Sequence, residues 1–103
     1  MGTNKRYATA IDKRMSEQVT ELAMRDQPHG LTDEELSLDT LELTRVPVAI
    51  PVTAWVRFGP GNVPVHVAGE LVAYTATAVA VRWRGPNGVQ RCWVWASAVN
   101  RVQ

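Results

Sequence analysis

The chain has 103 residues, 46 % of them hydrophobic, and a formal net charge of +1; that allows one small domain with a packed core and excludes wholesale disorder. No apolar run approaches the roughly 20 residues that span a bilayer, and the polar, basic start Met1–Tyr7 has no apolar segment behind it, so the expectation is a cytoplasmic protein with no secretory signal and no membrane contact. One cysteine, Cys92, excludes an intrachain disulfide and fits a reducing compartment. The charge is uneven: residues 1–45 hold 6 basic and 9 acidic groups, whereas residues 46–103 hold 5 arginines and one acid, Glu70. Such asymmetry marks either a nucleic-acid-facing half or two halves of opposite sign that dock on each other.

In chain order, residues 4–25 read as an amphipathic helix. Tyr7, Ile11, Met15, Val19 and Leu22 fall on one face. Thr3 or Asn4 caps its start, Glu21 and Arg25 form an i,i+4 pair, and Pro28 with Gly30 ends it. Thr32 and Glu35 then make a capping box, with Leu31 and Leu36 as its staple, which predicts a turn or two of helix from Asp33. Ser37–Arg45 carries Leu38, Leu41 and Leu43 without clean periodicity and reads as a strap pinning leucines onto the following domain. The stretch from Asp26 to Glu42 holds six acids and no base. It is either a solvated connector or a shield over a basic face. Residues 1–45 are therefore taken as an N-terminal helix and acidic strap, and residues 46–103 as a separate small β-domain.

From Ile50 the pattern changes to period two and to β-branched and aromatic residues. The expected strands are Val52–Phe58, Val63–Tyr74 with a kink or bulge at Gly69, Ala78–Arg84, Val89–Trp95, and a short Arg101–Val102. Pro47 and Pro51 suit an edge, since neither donates to a ladder. Ala96–Val99 reads as one tight helical turn. Five short antiparallel strands closed into a barrel would remove most open edges. About 55 residues bury little surface, so the helix is expected to pack on the barrel or on a second copy of the chain.

The Ala78–Trp95 hairpin concentrates Trp83, Trp93 and Trp95 with Arg82, Arg84 and Arg91. Its register decides which of them face outward. If Arg84 pairs with Val89, then Arg82, Arg84, Arg91, Trp93 and Trp95 share the outer face, and Val79, Val81, Trp83, Cys92 and Val94 the inner one. If Gly88 adds a bulge and Arg84 pairs with Gln90, Trp83, Trp93 and Trp95 share a face with Val79 and Val81, while Arg82 and Arg84 face away. Turn chemistry at Pro86 and Gly88 favours the second register.

The order strand, long bent strand, hairpin, single helical turn, short strand resembles that of the Src-homology-3-like barrels, including the Tudor-like ones. Trp93-Val94-Trp95-Ala96-Ser97-Ala98-Val99 is similar to the end of a Src-homology-3 domain. The resemblance implies that Val94 and Val99 are core and that Trp93, Trp95 and Ala98 occupy the peptide-binding positions. It favours the first register. Trp95 stands where that family has proline and Ala98 where it has tyrosine, and the acidic loop that selects basic peptides is absent. The nine arginines against two lysines, with abundant Ala and Val, resemble the small proteins of actinobacteria and their phages.

His29, His66 and Cys92 show no metal-ligand spacing, and Glu70 is the only carboxylate of the β-domain. No catalytic residue, no metal and no cofactor is therefore expected. The expected function is a non-catalytic interaction module. It would bind a protein, including a second copy of itself, or alternatively single-stranded nucleic acid. The expected binding residues are Arg82, Arg84, Arg91, Trp93 and Trp95, with Arg57 and Arg101 at the periphery for nucleic acid.

Overall fold

A computed structural model describes residues 21–102. They form a mainly β structure: one antiparallel sheet of six strands, β1 (Pro28–His29), β2 (Thr44–Phe58), β3 (Val63–Tyr74), β4 (Ala78–Gly85), β5 (Gly88–Trp95) and β6 (Val99–Arg101). A short helix, α1 (Asp33–Leu36), precedes β2, and a 3-10 turn, Ala96–Ala98, links β5 to β6. No helix among these residues is long and apolar enough to cross a membrane.

Alternation builds the core. Val52, Ala54, Val56 and Phe58 of β2, Val65 and Val67 of β3, Val79, Val81 and Trp83 of β4, and Cys92 and Val94 of β5 all turn inward and are buried. The edge of the Trp83 indole meets the Phe58 ring at 5.9 Å. Its Nε1 is buried without a hydrogen-bond partner. The capping box forms: Glu35 N donates to Thr32 Oγ1 at 3.2 Å, and Thr32 N donates to the Glu35 carboxylate at 3.0 Å. Leu36 is buried, while Leu38 of the strap is 46 % exposed.

Several expectations need correction. Residues 21–23 are helical and Arg25 reaches Glu21 at 3.5 Å, but most of the 4–25 helix, with Tyr7, Ile11, Met15 and Val19, lies outside the described residues. Leu22 is 61 % exposed, and Ala23 takes the buried position beside it. The helical end unwinds there through Arg25 N to Leu22 O and Asp26 N to Ala23 O bonds, and Met24 also packs on the core.

The first long strand starts at Thr44 and not at Val52. Pro47 is tolerated because the β2–β3 register is interrupted between Arg45 and Ile50, where no ladder bond is asked of its nitrogen. The irregularity in β3 lies between Leu71 and Ala73 and not at Gly69. Gly69 serves close approach instead: a Cβ there would sit 2.4 Å from the carbonyl oxygen of Arg82.

The expected barrel does not close. The ladders run β1-β2-β3-β4-β5, and β6 returns to β2 at Val52–Ala54. The two short strands both use β2, and the outer edge of β5 forms no ladder among the described residues. One backbone bond crosses to that edge, from Leu31 N to Trp93 O at 2.9 Å.

Candidate interaction surface

The hairpin pairs Arg84 with Val89 and Arg82 with Arg91. Gly88 nevertheless takes the left-handed φ of 96° that the turn chemistry asks for, so the two sequence clues were compatible. Arg82, Arg84, Arg91, Trp93 and Trp95 accordingly share the outer face, and Trp83 lies inside.

That outer face divides into separate sites. Trp93 and Trp95 line a groove of about 460 Å³ together with Trp55 of β2. Trp55 stands outward because Ala54 and Val56 on either side of it point into the core. Its ring stacks on His66, the residue opposite it on β3, at 4.8 Å. The near wall is the segment after β1, where Leu31 is held by its bond to Trp93 O. Gly30 passes so close that a Cβ there would lie 3.3 Å from the Cβ of Cys92. Ala98 of the 3-10 turn completes the far end. Two groove residues are basic: Arg57, whose Nη1 donates to Asn62 O at 3.2 Å, and His29, whose Nε2 is 2.6 Å from Gly59 O. The lining includes no carboxylate. Trp55 and Trp95 remain 52 % and 41 % exposed.

Arg82 and Arg91 go elsewhere. They line a hollow of about 310 Å³ with Arg45 of β2. Glu70, opposite Arg82 on β3, meets its guanidinium at 3.4 Å. A smaller hollow of about 160 Å³ continues from Arg45 and Arg91 over Ala73 and Ala80 to Trp93 and Leu43. Arg84 lies in a third concavity with Val89 and Val102. Arg101 sits on β6 opposite Val52, and neither hollow includes it.

The sequence reading therefore named Arg82, Arg91, Trp93 and Trp95, with Arg57 at the periphery, and missed Trp55, Leu31 and Arg45. Trp55 was legible: the alternation that makes Val52, Ala54, Val56 and Phe58 core puts it outside. Arg45 was assigned to the acidic strap, and nothing local tied it to the hairpin. Cys92 is buried, and burial pushes its thiol up to about 11 from 9.0, which leaves it a poor nucleophile. Among the described residues no three His, Cys, Asp or Glu side chains gather.

Comparison with protein-family profiles, with characterised proteins and with solved structures found no match to this chain.

Proposed function

We propose that the protein is a non-catalytic interaction module that takes an extended segment of another protein into the Trp55–Trp93–Trp95 groove. The observation that carries this reading is the convergence of three tryptophans from two strands on one concave, carboxylate-free surface. An indole offers a large rigid apolar face and an N–H donor, and tryptophan is the residue most typical of protein-binding hot spots. Exposed tryptophans with no partner are costly in water, so an occupant gains by covering them. Arg57 and His29 at the groove favour a segment that sets an acid beside an apolar or aromatic anchor. The raised pKa of Cys92 and the single carboxylate of residues 46–103 support a binding role over a catalytic one. The order of the strands, with Val94 buried and Ala98 beside the tryptophans, supports kinship with Src-homology-3-like architecture in an open form.

The test is selection of a displayed random-peptide library on the folded protein, followed by fluorescence titration of the enriched peptides. The expected result is peptides with an acid next to an aromatic or large apolar residue. Trp55→Ala and Trp95→Ala should each weaken them about 30-fold, the equivalent of a hot spot of about 2 kcal/mol. Peptides that bind the Trp variants as well as the parent would sink the reading. Sedimentation at rising concentration covers self-association: a dimer abolished by Trp95→Glu would make the partner a second copy.

A further inference from the structure

The Arg45–Arg82–Arg91 hollow presents a problem of stability that the peptide groove does not solve. Arg82 and Arg91 are directly opposite on neighbouring strands. Like charges in that position repel and weaken the sheet. Arg45 joins them from β2, so three guanidiniums share one hollow. Glu70 meets one of them, Arg82, which among the described residues leaves two positive charges in excess. Both Glu70 and Arg82 are about half exposed, with side-chain accessibilities of 49 % and 45 %, and Arg45 and Arg91 are exposed as well, so water screens the pair and the repulsion alike and the hollow keeps its net positive charge open to solvent.

A backbone that assembles three forked donors around a hollow is suited to an oxyanion with several acceptor oxygens. What lies next to the hollow narrows the anion further. The register rows carry Arg45 to Ala73, Ala73 to Ala80 and Ala80 to Trp93 across four strands. The two alanines make a low floor, and Arg45, Arg91 and Trp93 line the second hollow that stands on it. Arg45 and Arg91 line both hollows, so the charged site and the aromatic wall are contiguous over two small, buried side chains.

We infer that this trough is a binding site for single-stranded nucleic acid, in which Arg45, Arg82 and Arg91 hold backbone phosphate and Trp93 takes the neighbouring base. Guanidiniums on the phosphate and an indole on the base face are the two elements of sequence-tolerant single-strand binding. The site shares Trp93 with the peptide groove, but its charged half, Arg45, Arg82 and Arg91, is separate, and Trp55, Trp95 and Leu31 take no part in it.

The experiment is anisotropy titration of a labelled mixed-sequence single-stranded oligonucleotide against the full chain at several salt concentrations. Three phosphate contacts predict a log–log slope of roughly −2, at about −0.7 per contact. Arg45→Ala and Arg91→Ala should each flatten the slope by about 0.7. Trp93→Leu keeps apolar bulk and should weaken binding roughly tenfold with the slope unchanged. Glu70→Gln frees Arg82 and should strengthen binding several-fold. Thermal melts of each variant separate loss of binding from loss of fold.

Three results would overturn the inference: no binding at low salt; an equal loss from Arg101→Ala, which removes the same charge far from the trough; or equal binding of a polyglutamate peptide of matched charge. Binding of a nucleoside monophosphate as tightly as the oligonucleotide would also overturn it. Arg45, Arg91 and Glu70 lie outside the groove lining, whereas Trp93 lines both sites, so the charge variants test this site alone: failure of salt-dependent binding leaves the peptide selection standing, and failure of the peptide selection leaves this titration unaffected.

Discussion

The two faces of the β4–β5 hairpin are built from alternate residues of the same sixteen positions, yet they obey different demands. On the inner face Val79, Val81, Trp83, Cys92 and Val94 are at most 9 % exposed and pack on β2 and β3. On the outer face two tryptophans open into a groove, and two arginines stand opposite each other, one of them paired with an acid on β3. The inner face is what folding needs. The outer face departs from what stability favours, and departures of that kind concentrate where a protein binds something. The difference teaches where to expect loss of fold on substitution and where to expect loss of binding alone.

The largest effect expected on the inner side is from Trp83→Ala, which empties a site against Phe58. It should cost about 3–5 kcal/mol in chemical denaturation. Trp83→Phe removes the unpartnered indole N–H along with some volume, and should stay within about 1.5 kcal/mol of the parent. A large loss from the phenylalanine variant would mean that the indole nitrogen has a partner in solution. Gly69→Ala comes next. Its methyl would be driven into the carbonyl of Arg82 at 2.4 Å, forcing β3 and β4 apart at about 1–3 kcal/mol.

Cys92 links the inner face to pH. Burial raises its pKa from 9.0 to about 11, so the unfolded chain releases the proton first as pH rises. Stability from this group is complete below pH 9 and is lost between pH 9 and about 11, on the order of 2 kcal/mol in all. Denaturation midpoints of the parent and of Cys92→Ala across that window measure it. The parent should lose stability through the window more steeply than the variant, and parallel curves would contradict the burial argument.

On the outer face the order reverses. Trp55→Ala and Trp95→Ala should change the unfolding free energy by less than about 1 kcal/mol, while weakening peptide binding about 30-fold. If either melts the fold as Trp83→Ala does, the groove is part of the core and the contrast between the faces fails. The smallest effect belongs to Glu70→Gln, which breaks a half-exposed ion pair and should alter stability by about 0.5 kcal/mol or less.

Much of this was legible before any coordinates. Period-two alternation marked β2 to β5 as strands and gave the inward residues of β4 and β5 in one of two open registers, the turn residues set the bounds of β3 and placed those of β4 and β5 to within one residue, and Thr32 with Glu35 announced α1. These signals succeed because they are local. Successive strand side chains point to opposite faces whatever lies beyond them, and a cap joins residues three apart. The beginning of β2 was missed because Pro47 and Pro51 read locally as an edge entry ahead of the strand, and only pairing with β3 shows that the interruption lies between two paired stretches.

What local pattern could not decide is which rows become neighbours. Trp55 and Trp95 are forty positions apart, and they share a groove because β2 meets β1, because β6 returns to β2 after β5, and because Leu31 crosses to Trp93. Arg45 reaches Arg91 only because β2 resumes its pairing with β3 at Arg45, on the far side of an irregularity in both strands. The openness of the sheet has the same origin: β1 and β6 both pair with β2, and no periodicity in the chain says to which edge a strand of two or three residues will go. Alternation assigns a face to every side chain, but register and bulges assign it its company, and those depend on the pairing energies of whole strands.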